Sequence, residues 1–400
     1  METFVARHPI FDRAGAVYGY DLAFRSGFEA FYEGLFGQWE AVEFQMARNF
    51  EELTGHGRAH VLFSPVLLGS GLPALLPVDT LTVGMPADTP AEPEIVEVCR
   101  ELAVSGYELA MDGFGPSALD SPLLEFVDIA RADLAAMTGD ERRALCDELA
   151  RRNIVLLARN VETVEAFQEA RDLGACYFQG DYFRKPILQP GKEVTTTKLS
   201  FLRVLNEVNR PELAYDELDA LIRQDVSMTY RLLRFINSSW HGLKKHVESI
   251  RHALVLLGPA EVRVWASLLI LREVGRDKPV ELLRRSLTRA RMAEDLAPLV
   301  GLDARAAELF LMGMFSLVDA LTDVPMDRVM ERLPFGEDVK AALLEGAGPL
   351  APVHQTVLAY ELGQWDSFAE AARSLQLAED ALPPLHRISL KWAAEAMELI

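Results

Sequence analysis

The sequence is poor in cysteine and in positive charge. Three cysteines, Cys99, Cys146 and Cys176, lie far apart among 400 residues. This scarcity argues against a disulfide framework and a thiolate metal site, and favours reduced, partly buried thiols. Forty Lys and Arg oppose sixty Asp and Glu, for a net charge of −20. Because so acidic a surface repels phosphate backbones, we expect no general nucleic-acid binding.

Long apolar runs are also missing. The best one, residues 262–271, contains Arg263 and falls short of the roughly 18 residues that cross a bilayer. The first nine residues lack the basic segment and apolar core of a signal peptide. We therefore predict a cytoplasmic protein that does not enter the membrane.

What is present is an ordinary globular composition, 50% hydrophobic and 25% charged, with a length that predicts two or three domains. Up to about residue 186, strand-like runs alternate with helix-like stretches, after an apparent hairpin formed by 4–6 and 17–20. The later strand-like runs are 60–63, 81–83, 107–111, 127–130, 154–158 and 176–178, and the helix-like stretches include 93–103, 140–151 and 164–173. This alternation predicts a parallel sheet, either a barrel or a doubly wound sheet, and about seven repeats favour the barrel.

From about residue 195 the strand signals stop, and helical periodicity continues to the end of the chain. The predicted helices include 198–209, 214–225, 227–237, 249–257, 259–274 and 280–300. Pro and Gly residues between them mark loops. We predict an α/β barrel domain over 1–188, a linker over 189–197 and an all-α domain over 198–400.

Candidate site residues follow the predicted barrel strands, where barrel enzymes place their reactive groups. They are Asp21, Arg25, Asp112, Arg131, Glu162 and Gln179. Taken alone, each is a weak signal, since an Asp before a glycine-rich turn more often caps a loop.

Four stretches together resemble the EAL family. In chain order they are 18–25 (YGYDLAFR), 111–115 (MDGFG), 158–162 (ARNVE) and 177–186 (YFQGDYFRKP). The resemblance implies a shortened TIM-like barrel over residues 4–186. It also implies an ancestry among enzymes that hydrolyse the bacterial messenger cyclic di-GMP with two Mg²⁺ or Mn²⁺ ions.

Against that family pattern, several implied metal ligands are replaced. The naming Glu-Ala-Leu reads Asp21-Leu22-Ala23, and the water-orienting Lys becomes Arg131. The other replaced ligand positions are Phe63, Gly84, Gly113 and Arg159. Divalent ions need about six oxygen ligands, so these changes predict the loss of both ion sites, with Asp112, Glu162 and Gln179 retained.

The helical part resembles the HDOD domain, a relative of the HD metal phosphohydrolases. The resemblance rests on 230–239 (YRLLRFINSS) and 250–258 (IRHALVLLG). Where the HD enzymes carry their His-Asp pair, this chain has Phe315-Ser316, which cannot hold a metal. A barrel followed by an HDOD domain is typical of bacterial EAL–HDOD signalling proteins of the YuxH type.

These observations lead to the hypothesis of a non-catalytic signalling adaptor, without metal or other cofactor. It would bind a bacterial regulatory or sensor protein, and homodimer formation stays open. A docking loop is predicted around Trp240, Lys244 and Lys245, a Trp flanked by basic groups.

Two alternatives remain open. One is a residual cyclic di-GMP phosphodiesterase that uses Asp21, Asp112 and Glu162 with one Mg²⁺ or Mn²⁺. The other is a metal-free cyclic di-GMP receptor that uses Arg25 and Gln179, with Arg131 and Arg159 available to phosphates.

Overall fold

The structure is a computed structural model. It describes residues 4–25, 51–55, 57–184, 215–223, 226–237, 247, 249–331, 333 and 335–399. The chain forms two compact units. The first consists of Met1–Arg184 with Ala359–Phe368, and the second of Lys185–Leu358 with Ala369–Ile400.

The first unit opens with the predicted hairpin. Strand β1 (Val5–Asp12) pairs antiparallel with β2 (Val17–Phe24). In the turn, Asp12 Oδ1 accepts hydrogen bonds from the backbone N–H groups of Ala14 and Ala16, at 2.8 and 2.9 Å. Gly15 completes the turn at a φ of 80°, a left-handed conformation that suits glycine. The hairpin thus gives the barrel its one antiparallel strand among the described residues.

Eight strands close into a barrel in chain order. After the hairpin come β3 (Arg58–Leu62), β4 (Leu81–Pro86), β5 (Glu108–Asp112), β6 (Ile129–Ala132), β7 (Val155–Ala158) and β8 (Tyr177–Phe178). Strands β2 to β8 pair parallel, and β8 pairs antiparallel with β1. The prediction of a barrel rather than a doubly wound sheet is confirmed.

Between the described strands lie the helices α1 (Pro65–Gly69), α2 (Pro93–Val104), α3 (Gly139–Arg151) and α4 (Val164–Asp172). The last three follow the predicted amphipathic stretches, whereas the sequence does not predict the short α1. Helix α3 starts at a capping box, in which the Thr138 hydroxyl and the Glu141 carboxylate satisfy each other's backbone N–H groups. Ile10, Ala110, Ile129 and Leu157, from four different strands, form a buried apolar cluster.

The second unit is helical throughout its described residues, which confirms the predicted all-α architecture. Its helices are α5 (Tyr215–Arg223), α6 (Val226–Ile236), α7 (Ile250–Val274), α8 (Val280–Leu296), α9 (Ala306–Phe315), α10 (Val318–Thr322), α11 (Met326–Met330), α12 (Glu337–Leu344), α13 (Ala351–Glu361), α14 (Trp365–Ser374) and α15 (Leu382–Leu399). Gly258 breaks α7 at a φ of 72°, directly before Pro259, where the sequence predicts a loop between two helices. The turn from α13 into α14 belongs to the first unit.

No single helix among the described residues is long and apolar enough to cross a bilayer. One pair, Ile250–Pro259 with Glu261–Val274, meets the length and composition test only when its members are taken together, across a bend of 109°.

Candidate functional site at the carboxyl ends of the barrel strands

Five polar side chains, four of them from strands and one from the residue after a fifth strand, converge at one place in the barrel. They are Asp21 of β2, His60 of β3, Asp112 of β5, Arg131 of β6 and Gln179 directly after β8. The strand register brings them together, because Asp21 lies opposite His60 and Asp112 lies opposite Arg131. We call this group the Arg131 cluster.

Arg131 lies at the centre of the cluster and is only 1% exposed. Its Nη2 donates to Asp21 Oδ2 at 2.7 Å and to Gln179 Oε1 at 2.9 Å. Its Nη1 lies 2.7 Å from Asp112 Oδ1. The same nitrogen is 2.8 and 3.0 Å from the two ring nitrogens of His60. One guanidinium therefore bridges both carboxylates through different nitrogens, the geometry to which a planar fork of donors is suited.

His60 lies between the two carboxylates and is 3% exposed. Its Nδ1 is 3.2 Å from Asp21 Oδ1, and its Nε2 is 3.3 Å from Asp112 Oδ2. Gly84 of the neighbouring strand makes room for it, because a Cβ at position 84 would lie 2.7 Å from His60 Cε1 and 3.1 Å from Asp112 Oδ2. By sequence, position 84 is a lost metal ligand, because it carries glycine instead of a carboxylate. In the structure, the imidazole of His60 fills the space that a side chain at 84 would need.

The charges of the cluster are mutually dependent. Burial alone would raise the pKa of Asp21, but Arg131 and His60 hold it well below the usual 3.8. Burial works to lower the pKa of Arg131, but Asp21 and Asp112 raise it above the usual value. Asp21 and Arg131 are therefore both ionised at neutral pH.

This coupling predicts an acid-dependent stability. Asp21 has a lower pKa in the folded chain than in the unfolded chain, so its ionised form stabilises the fold above about pH 4, and this stabilisation is lost as the pH falls further. We expect the free energy of unfolding to depend less steeply on pH between about 2 and 5 in Asp21→Asn than in the unmodified chain. Urea unfolding followed by circular dichroism measures this. Asp172→Asn, at a carboxylate 75% exposed, is the control, and parallel profiles for Asp21→Asn and the unmodified chain would refute the prediction.

The remaining predicted site residues differ in what they contact. Arg159, after β7, is 37% exposed, and its Nη1 lies 3.5 Å from Asp112 Oδ1. Arg25, directly after β2, contacts aromatic rings, with its guanidinium 5.1 Å from the centre of the Phe4 ring and 5.9 Å from that of Phe368. Glu162 is exposed in the loop between β7 and α4. The predicted docking residues Trp240, Lys244 and Lys245 lie outside the described residues.

The cluster does not fit a pair of divalent ions as it stands. Within the described part of the chain, no group of three or more His, Cys, Asp or Glu side chains is arranged to hold a metal ion. Arg131 takes the space between the two carboxylates, and Phe63 is fully buried without an oxygen to offer. Arg159 adds a second positive charge beside Asp112. Positive side chains therefore lie where a divalent ion would have to bind.

The helical unit shows a similar arrangement at the position of the HD pair. Phe315 is 1% exposed, and Ser316 follows the end of α9. Arg289 of α8, itself 4% exposed, donates from Nη1 to Ser316 Oγ at 3.0 Å. A guanidinium thus contacts this position as well.

Known proteins resemble the chain along its whole length. The EAL domain model matches residues 70–186, and the HDOD domain model matches residues 195–325. The uncharacterized protein YuxH of Bacillus subtilis is 30% identical over 410 aligned residues, which cover 100% of both chains. The cyclic di-GMP phosphodiesterase CdgJ of Vibrio cholerae is 32% identical over 409 aligned residues, which cover 100% of this chain and 94% of that protein. A crystal structure of an EAL domain protein from Listeria monocytogenes aligns with a TM-score of 0.36 and 17% identity, over 46% of this chain and 87% of that one.

The likeness to CdgJ overturns two predictions made from the sequence: that the protein is a non-catalytic adaptor, and that it is not an enzyme. A relative that aligns over the full length of this chain is a phosphodiesterase by name. The predictions are wrong because each residue at a family metal-ligand position is compared with the family pattern separately, and each replacement is counted as a loss of activity. Such a comparison leaves out His60, whose imidazole lies inside the cluster.

Sequence reasoning also missed His60 as a site residue. The available signal was a lone histidine inside the apolar run Ala59–Leu62, next to a strand that carries Gly84 in place of a side chain. A polar residue in a buried strand, next to a glycine in the neighbouring strand, indicates that polar side chains meet at that point of the barrel.

Proposed function

The chain belongs to the EAL–HDOD family of signalling proteins, and from this premise we propose that it is a cyclic di-GMP phosphodiesterase. The observation that carries the proposal is the 32% identity with CdgJ, which extends over the barrel and the helical region alike. The reaction is proposed to take place at the Arg131 cluster, because active sites of closed βα-barrels lie at the carboxyl ends of the strands.

The partly exposed side chains at the cluster, Asp21 and Gln179, together with the neighbouring Arg159, suit an anionic nucleotide. Cyclic di-GMP carries two phosphodiesters, each with one negative charge. Arg159, 37% exposed, offers a positive charge and guanidinium N–H donors to such a phosphate. Asp21 and Gln179 are partly exposed, and ionised Asp21 can accept hydrogen bonds from a guanine edge or from a water. Binding through Arg159 would place one phosphodiester beside the carboxylates.

The buried side chains of Arg131 and Asp112 position Asp21 and Arg159, which are partly exposed. Arg131 fixes Asp21 through Nη2, and it fixes Asp112 through Nη1. Asp112 in turn lies next to Arg159. In the proposed hydrolysis, a water oxygen bonds to phosphorus, the bond from phosphorus to one ribose oxygen breaks, and that oxygen takes up a proton. The positive charge of Arg159 would stabilise the negative charge that builds up on the phosphoryl oxygens in the transition state.

The direct test is an incubation of the purified full-length chain with cyclic di-GMP, with products separated by liquid chromatography. Mg²⁺, Mn²⁺ and EDTA are compared, because the described residues do not form a divalent site as they stand. The proposal expects the linear dinucleotide to accumulate in at least one of the three conditions. Nucleotide bound without product, or no binding at all, overturns it.

Arg159→Ala is expected to lower kcat/KM about 10- to 100-fold, since it removes the phosphate-binding cation and its charge-assisted hydrogen bonds. Arg152→Ala is the matched control, because Arg152 is similarly exposed at 43% but pairs with Glu148 on α3. Steady-state rates over a range of nucleotide concentrations give the ratio. Equal effects of the two substitutions would place phosphate binding elsewhere.

A further inference from the structure

We infer that Arg131 is a built-in cation that keeps divalent ions out of a latent metal site formed by Asp21, His60 and Asp112. Two carboxylates and an imidazole are the side chains that bind divalent transition-metal ions. In this chain all three contact one guanidinium instead. The inference concerns cation binding, and it does not depend on nucleotide hydrolysis.

The positions of the two guanidinium nitrogens support it. Nη1 has Asp112 Oδ1 at 2.7 Å and a His60 nitrogen at 2.8 Å. Nη2 has Asp21 Oδ2 at 2.7 Å and Gln179 Oε1 at 2.9 Å. Ligands of Mn²⁺ or Zn²⁺ lie at about 2.0–2.2 Å, so an ion in the place of Nη1 would need Asp112 Oδ1 and the His60 nitrogen to move inward by less than about 1 Å. Asp21, which contacts Nη2, would have to turn toward the same ion.

A second observation concerns the other carboxylate oxygen of Asp112. Asp112 is 9% exposed, and its Oδ2 accepts no hydrogen bond from any residue that the structure describes. This oxygen faces His60 Nε2 at 3.3 Å, next to Gly84, where a Cβ would lie 3.1 Å from it. A buried carboxylate oxygen without a donor is costly in a protein interior, and a bound cation would satisfy it.

The charge balance explains why the ion is excluded. Asp21 and Asp112 contribute two negative charges, which Arg131 and Arg159 balance. A divalent ion would have to enter beside a buried guanidinium that keeps its proton, and like charges at such distances repel strongly in a low-dielectric site. Removing the guanidinium leaves both carboxylates and the imidazole without the charge that they now contact.

The test is the binding of Mn²⁺ to the full-length chain, followed by the loss of the electron paramagnetic resonance signal of the free ion, with no nucleotide present. Arg131→Ala is expected to bind one Mn²⁺ per chain more than the unmodified protein, with a Kd at least tenfold lower than any site of that protein. Arg131→Lys keeps the charge and is expected to gain no site. Arg131→Ala with Asp112→Asn is expected to lose the gained site, which distinguishes it from ions held loosely by the acidic surface.

Folding is measured in the same samples by circular dichroism. If Arg131→Ala is unfolded in EDTA, the inference expects Mn²⁺ to restore the fold, because binding to the native state alone stabilises it. A variant that stays unfolded with Mn²⁺, a folded variant without the additional site, or equally tight binding by the unmodified chain would each overturn the inference. None of these outcomes depends on turnover, so hydrolysis of cyclic di-GMP is judged separately.

Discussion

Replacing Arg131 with methionine is expected to lower the free energy of unfolding of the barrel by about 3–5 kcal/mol in the absence of divalent ions. Methionine keeps much of the length of the side chain but removes the charge. Asp112 then loses the cation at 2.7 Å and keeps the more distant Arg159 at 3.5 Å, and Asp21 loses its closest cation. Breaking a buried ion pair by removing one partner costs about this much, because the remaining charge is neither solvated nor compensated.

Urea unfolding of the full-length chain in EDTA measures the loss. Arg131→Lys is the matched control, and it is expected to lose less, since it keeps the positive charge but not the fork that reaches both carboxylates. A methionine variant within about 1 kcal/mol of the unmodified chain would show that the guanidinium does not compensate these carboxylates, because removal of a compensating charge costs several times more.

Gly313→Ala is expected to lower the free energy of unfolding of the helical unit by about 3 kcal/mol, near the upper end for overpacking. Gly313 lies in α9 where it crosses α8, and a Cβ there would lie 2.6 Å from the backbone N of Ala290 and 2.6 Å from the carbonyl carbon and oxygen of Arg289. Backbone atoms of a helix cannot rotate away, so the two helices would have to separate.

Thermal and urea unfolding of the full-length chain test this prediction, with Gly336→Ala as the control. A Cβ at Gly336 would meet no atom within 4 Å, and its φ of −59° is open to any residue. We expect the control to change stability by less than about 1 kcal/mol. If both alanine variants behave alike, α8 and α9 do not pack as closely as the structure has them.

The barrel could be predicted from the sequence because its signals are local. Short apolar runs such as Leu81–Val83, separated by amphipathic stretches, indicate strands that alternate with helices. The turn residues Asp12 and Gly15 mark the hairpin before any long-range contact is known. Closure followed from the number of repeats, and the family resemblance pointed to the same fold.

The Arg131 cluster could not be predicted in the same way, because its contacts join residues that are far apart in the chain. The sequence predicts an Arg131 that is available to phosphates, yet this residue is 1% exposed and bound to Asp21, 110 residues away. The roles of His60 and Gly84 appear only when neighbouring strands are placed in register. Arg25 matches a family motif, and its contacts with the rings of Phe4 and Phe368 are likewise long-range contacts that the sequence does not show.

The inference from ligand types to inactivity failed for a related reason. The residue types at separate positions show which groups a site contains, but the chemistry of the site depends on what those groups contact. Arg159, counted as a cation in place of a ligand, is the partly exposed group that we propose to bind a phosphate. His60 is not among the predicted site residues, although it lies between the carboxylates of Asp21 and Asp112.

The most direct test of the central claim, that the barrel hydrolyses cyclic di-GMP, is a reaction in ¹⁸O-labelled water followed by mass spectrometry of the nucleotides. If water attacks phosphorus, the linear product carries one ¹⁸O atom in its new terminal phosphate group. We expect this labelled product from the unmodified chain, and about 10- to 100-fold less of it from Arg159→Ala at low nucleotide concentration. Recovery of only the unlabelled cyclic dinucleotide, from folded protein in Mg²⁺, in Mn²⁺ and in EDTA alike, would contradict it.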